Sequence, residues 1–168
     1  MKKVLGIILF AAIALSAQEA AAQTFKTGHI NRDDIIMAMP EYDTAMKHYN
    51  EFGQELSNAL ELMQVEYNNL LDKFVKERDK LTALVKANKE QELADMQNRI
   101  NSFQQQAQTQ LQDKQAELLN PIVEKATNAI NAVAKEGGFI YIYDVRTLVY
   151  FDPSKSTDLA PQVKAKLG

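Results

Sequence analysis

The chain has 168 residues, 19 Lys+Arg against 22 Asp+Glu for a formal net charge of −3, no Cys, no Trp, 6 Gly and 4 Pro. That length suits about one domain, and the lack of Cys excludes disulfides, Cys-ligated zinc, a thiol nucleophile and a lipidated N-terminal cysteine. The mild acidity argues against a dedicated nucleic-acid binder, and the scarcity of Gly and Pro argues against an all-β protein full of tight turns.

Lys2 and Lys3 followed by the apolar run Val4–Leu15 and the small residues Ala20, Ala21 and Ala22 form the pattern of a secretory signal peptide. The run is too short to span a bilayer core of about 30 Å. Residues 1–22 are therefore expected to be an address, cleaved before Gln23. Cleavage leaves 146 residues with 17 positive and 21 negative side chains, and the expected location is an extracytoplasmic space.

Phe25–Asn31 reads as a short strand, and Asn31-Arg32-Asp33-Asp34 offers cap chemistry for a short helix through Ile35, Ile36 and Met39. From Tyr42 a seven-residue repeat begins, with Pro40 placed where a missing N–H costs least. Its stripe runs Tyr42, Met46, Tyr49, Gly53, Leu56, Leu60, Met63, Tyr67, Leu70, Phe74, Glu77, Leu81 and Leu84. Only Gly53 and Glu77 interrupt the apolar character. A spacing of 3.5 held for so long specifies a coiled-coil seam.

A second helix is expected over Lys89–Ala134, ended by Gly137-Gly138. Its stripe is Leu93, Met96, Ile100, Phe103, Ala107, Leu111, Leu118, Ile122, Ala126, Ala129 and Val133, with a slip near Ala107 and Leu111 that locally unwinds a supercoil. The two stripes pair in mirror order: Leu81 with Leu93, Phe74 with Ile100, Tyr67 with Ala107, Met63 with Leu111 and Leu56 with Leu118. An antiparallel hairpin turning near Ala87 follows, with arms of ~45 residues and ~68 Å. Gln104, Gln105, Gln106, Gln108, Gln110, Gln112 and Gln115 crowd one stretch of this helix. They read as a solvated face or as a neutral surface able to hydrogen-bond a bound chain. Pro121 lies inside the periodic pattern, deletes the hydrogen bond to the Glu117 carbonyl, and is expected to kink the arm at its root.

Phe139–Tyr143 and Leu148–Phe151 read as two strands joined by a turn at Asp144–Thr147, and Pro161–Leu167 as a last short helix. Three short strands from one chain leave apolar edges uncovered, which oligomerisation would remedy. The fold class expected is α+β, mostly α: a long antiparallel coiled-coil hairpin (41–120, tip near 87) on a small β-strand body (23–40 and 121–168).

His48 has Glu51 and Asp43 within helical reach and reads as a surface pair; His29 stands on a strand. The chain contains no GxGxxG, P-loop, HExxH or GxSxG. No catalytic, cofactor-binding or metal-binding residues are assigned, and no cofactor is expected.

The order of parts resembles the Skp/OmpH family of periplasmic chaperones across essentially the whole mature chain. The resemblance rests on the signal peptide, Thr27-Gly28-His29-Ile30-Asn31, the long hairpin, Pro121-Ile122, Gly137-Gly138-Phe139, Tyr143-Asp144 and Tyr150, then Asp152-Pro153-Ser154 and Asp158-Leu159. It implies a homotrimer whose strands assemble a β-barrel body with three reaching arms. It also implies a holdase that shields unfolded outer-membrane β-barrel proteins without ATP. The family's best-known members carry positive arm tips, which go with peripheral membrane contact; here residues 72–100 hold 7 positive and 6 negative side chains, and 23–71 hold 3 positive and 8 negative. The competing reading is a coiled-coil spacer or adaptor of the cell envelope. The apolar Phe52, Val65, Leu71, Val75 and Phe103 are the candidate client contacts.

Overall fold

The computed structural model describes residues 25–168; the expected signal peptide, residues 1–22, lies outside them. Strand β1 (Thr27–Ile30) leads into helix α1 (Arg32–Met37), then α2 (Pro40–Glu77), a 3₁₀ turn at Arg78–Lys80, and α3 (Ala83–Gly137). Strand β2 (Tyr141–Asp144), two further 3₁₀ turns, strand β3 (Thr157–Asp158) and helix α4 (Ala160–Leu167) complete the chain.

Local chemistry accounts for most of these boundaries. The Asn31 side chain accepts from the amides of Asp33 and Asp34, capping α1. Pro40 occupies the first turn of α2. Gly138 closes α3 in the left-handed region, φ +67°, with its N–H directed at the carbonyls of Ala134 and Lys135. A side chain there would be strained, so the Gly137-Gly138 stop is conformational.

Helices α2 and α3 pack antiparallel as one hairpin. Every expected seam residue from Tyr42 to Phe74 is half-buried, and Met96 and Ile100 are buried across the seam. The tip is not at Ala87. The chain turns at Arg78–Thr82, where the Thr82 hydroxyl accepts from the Val85 amide and caps α3. Leu84, assigned to the first helix's seam, lies in the first turn of α3 and is 72% exposed.

Mirror pairing fails with the tip. Leu111 lies against Gly53 rather than Met63, and the Lys114 ammonium sits 5.9 Å from the centre of the Phe52 ring. Gly53 lies three seam steps of three or four residues from Met63, and a slide by any such step still lays apolar on apolar, so periodicity fixes which faces meet but not their register. The position of the turn fixes that. The arms are also unequal, with 38 residues in α2 and 55 in α3, because α3 continues into the body. Pro121 does not break α3, which is continuous across it.

The sheet has the order β2-β1-β3, and both outer strands run parallel to β1. Thr27 pairs with Tyr141 and Ile30 with Asp144 on one side; His29 pairs with Asp158 on the other. The expected second strand, Leu148–Phe151, is not a strand. A parallel β3 on the far edge of β1 requires the chain to cross the sheet, and this apolar run makes the crossing between turns at Val145–Thr147 and Pro153–Lys155. Asp144 and Asp152 seed those turns by accepting from the amides of Arg146 and Ser154.

The core lies under the sheet. Ile30, Ile35, Ile36 and Met39 meet Ile122, Ala126, Ala129 and Val133 of α3, and Leu159 and Val163 of α4. Gly28 lets β1 approach this core: a Cβ there would stand 2.5 Å from Leu159 Cδ1. Asp33 pairs with Arg146, and Glu136 with Lys166, around the rim.

Candidate functional site

The arm has a seam but little interior, so its side chains divide into those on the seam and those left in water. Val65 is 49% exposed, Leu71 37% and Val75 64%, so three of the five candidate contacts stand in solvent. Phe52 and Phe103 are half-buried at the seam's edge, with the Lys114 ammonium over the Phe52 ring. Leu62 at 71% and Val85 at 40% join the exposed set. Leu62 was legible as an apolar residue off the heptad; Val85 stands next to the misplaced turn.

Some charges on the arm pair within their own helix: Lys47 with Glu51, Asp72 with Lys76, Lys89 with Glu92, and Lys114 with Glu117. Each such pair contributes about 0.3–0.5 kcal/mol at most, and others, such as Glu55, Glu61, Glu66 and Arg99, stand in no ion pair among the described residues. Lys114 fills the gap in the apolar stripe between Leu111 and Leu118, half-buried, with its ammonium 3.0 Å from Glu117.

At the root of the arm a groove of about 460 Å³ is lined by Met39, Pro40, Thr44, Ala45, Leu118, Pro121 and Ile122. The exposed Glu41–Lys125 ion pair bridges α2 and α3 at its edge. The hydrogen bond from Lys125, helped by a backbone amide, holds the Glu41 carboxyl below its ordinary value. Across the described residues, then, α2 and α3 are joined by the apolar seam, by Lys114 over Phe52, and by this pair.

The body presents a second surface. Val149 and Tyr150 project fully or nearly so into solvent, and Tyr141, Tyr143, Phe25 and Ile140 are each more than two-fifths exposed. The outer edges of β2 and β3 have no strand partner among the described residues. Tyr141 and Tyr143 stack at 6.0 Å on the face that also carries Thr27 and His29.

His29 has a partner that the sequence reading did not find. Its Nδ1 lies 3.0 Å from the Ser156 hydroxyl, and its ring meets Phe151 at 4.8 Å. The signal was absent because Ser156 is 127 residues away. The contact ties β1 to the segment before β3; a nucleophile–base pair needs an orienting group and oxyanion donors as well, and the second flank of this imidazole is an aromatic ring. His48 pairs with Glu51 at 3.3 Å on the exposed face of α2, as the spacing predicts. Asp152 is held below the ordinary carboxylate range by hydrogen bonds from the Ser154 hydroxyl and amide, which is turn chemistry. Among the described residues no group of three His, Asp or Glu side chains converges on a metal position, and no helix is long and apolar enough to cross a membrane.

The comparisons with known proteins agree with this architecture. Residues 26–167 match the family model described as outer membrane protein, OmpH-like. The chaperone protein Skp of Yersinia enterocolitica is 27% identical over 157 residues, covering 90% of this chain and 93% of that protein. The crystal structure of an OmpH-like candidate outer membrane chaperone from Caulobacter crescentus CB15 superposes with a TM-score of 0.73 at 11% identity, over 85% of this chain and 83% of the other. At that identity the likeness speaks for the fold: a long helical hairpin on a small sheet. With a family match spanning nearly all the described residues, this chain belongs to the OmpH-like family.

Proposed function

We propose that the protein is an ATP-independent periplasmic holdase that binds unfolded outer-membrane β-barrel proteins between helical arms and keeps them from aggregating before insertion. Family membership supports the chaperone role, and the observation that carries the mechanism is the construction of the arm. A hairpin of which α2 alone is ~57 Å long has one seam, exposed apolar side chains off it, and few fully buried residues beyond its root. Such an arm offers many weak contacts and little rigidity, which suits a chain that must be held and then released. A spacer needs a regular seam. Gly53, the half-buried Lys114 and Pro121 all depart from regularity, and Pro121 gives the arm a place to bend at its root.

In this reading the chain works as a homotrimer. The open edges of β2 and β3 and the exposed Tyr141, Tyr143, Val149 and Tyr150 are the surface the copies cover, and three arms then face a common space. Light scattering of the mature protein should give three times the mass of one chain. The decisive experiment dilutes a urea-unfolded outer-membrane β-barrel into buffer with and without the trimer. Barrel strands expose apolar faces and open edges until inserted, so the client alone should scatter light, and near-stoichiometric trimer without nucleotide should keep it soluble. Removing the arm beyond the facing pair Gly53 and Leu111 should abolish protection and leave the trimer assembled. A full-length protein that protects nothing, yet binds one folded partner tightly, would establish the spacer instead.

A further inference from the structure

Five of the seven glutamines crowded in α3 share one face, while Gln106 and Gln110 lie on the opposite side of the helix. At about 100° per residue, Asn101, Gln104, Gln105, Gln108, Gln112 and Gln115 fall within one band about 100° wide, running about 21 Å along the helix. All six are exposed. The charged residues of the same stretch, Asp95, Arg99, Asp113, Lys114 and Glu117, lie no closer than about 130° from the centre of that band. The seam residues Ile100, Ala107 and Leu111 lie on its other flank. Asn101 accepts from Gln97, and among the described residues the amides of the five glutamines bond no protein group.

We infer that this amide stripe is a docking surface for the backbone of an extended, unfolded polypeptide; the inference rests on the holdase reading and specifies how that site recognises its client. Each glutamine offers two donors and a two-lone-pair acceptor and no charge. The complement of such a row is another uncharged row of alternating donors and acceptors, which is what the edge of an extended chain presents. A phosphodiester or an anionic lipid surface calls for cations, and the band has none. The periodicities fix the character of the binding. An extended strand repeats its outward groups every ~6.7 Å, whereas successive turns of the helix are 5.4 Å apart, so the two rows drift out of step within a few turns. Long, flexible side chains absorb part of the mismatch. No single register is preferred, and many are equivalent. The client is therefore held by its backbone, without regard to its sequence and without being locked in one pose.

The test uses the full-length assembled protein and the variant Gln104→Ala/Gln105→Ala/Gln108→Ala/Gln112→Ala. Alanine keeps the helix and removes the amides. Binding is read by fluorescence anisotropy with two probes: a urea-unfolded outer-membrane β-barrel after dilution, and a short alternating Thr/Val peptide made with and without N-methylation of every second amide. The variant should bind both the barrel and the plain peptide about tenfold more weakly, with helicity and mass unchanged. Wild-type protein should bind the N-methylated peptide about as weakly, and its affinity for the plain peptide should barely change between low and high salt. Variant affinity within twofold of wild type, indifference to N-methylation, or a changed assembly mass, which would make the stripe a contact between copies, overturns the inference. If wild type binds the peptide through its amides yet fails to keep the barrel soluble, the holdase reading falls and the stripe stands.

Discussion

Body and arm are built from the same kinds of residue at very different depths. In the body Ile35, Ala126 and Val163 have no solvent exposure and Leu159 has 1%. In the arm the seam residues of α2 from Tyr49 to Phe74 are only half-buried, because two helices cover one stripe of each other and nothing covers the rest. A buried core needs elements packed on more than one side of the helices, which the body obtains from α1, α4 and the sheet. Stability therefore concentrates at one end of the molecule, and the arm is left to yield.

Matched truncations give the largest contrast. Leu159→Ala should lower unfolding free energy by about 2–5 kcal/mol, since a side chain with 1% exposure leaves a cavity. Leu60→Ala on the half-buried seam should cost about 1–2 kcal/mol, because water already reaches part of what is removed. Denaturant melts measure both. Amide exchange should show protection lost throughout the body in the first and only along the hairpin in the second. Equal losses would mean that arm and body are one cooperative unit.

A smaller effect has the opposite sign. A Cβ at Gly53 would stand 3.7 Å from Leu111, an ordinary contact, so Gly53→Ala should stabilise the hairpin by about 0.5–1 kcal/mol. If the softness of the seam serves function, the same variant should protect an unfolded client less well in the aggregation assay.

The smallest effect is the pH dependence of the Glu41–Lys125 pair. The folded carboxyl titrates below its ordinary value of 4.5, because Lys125 bonds it. Its contribution to stability is thus present above 4.5 and is lost as pH falls through the lowered folded value. Wild type and Glu41→Gln, melted from pH 7 down to pH 3, should differ at neutral pH and converge in acid. The pair is exposed, so added salt should narrow the difference.

How legible each part was follows from how local its cause is. The Asn31 cap, the Pro40 start, the Gly138 stop and both apolar stripes were readable, because each depends on residues within a turn or on a repeat. The tip was misplaced because Thr82, a single hydroxyl with no Gly or Pro beside it, is a faint signal against two strong periodicities. Among the candidate contacts, Val65, Leu71 and Val75 were separable from the seam by their heptad position, whereas Phe52 and Phe103 sit so near its edge that only the packing of the opposite helix settles their exposure.

The sequence by itself determined that two long helices would meet along one stripe each, where they would be capped, and that short apolar strands would stand at both ends. Tertiary structure alone decided the register of the hairpin and the order of the sheet. Apolar stripes still match after a slide by any seam step of three or four residues, so the actual turn at Arg78–Thr82 had to choose among near-equivalent pairings. Strand pairing joins Thr27 to Tyr141 and His29 to Asp158, residues more than a hundred positions apart. Nothing near β1 in the chain specifies those neighbours. They are fixed only once α3 has returned the chain to the body and the Leu148–Phe151 run has crossed the sheet to leave β3 on its far edge.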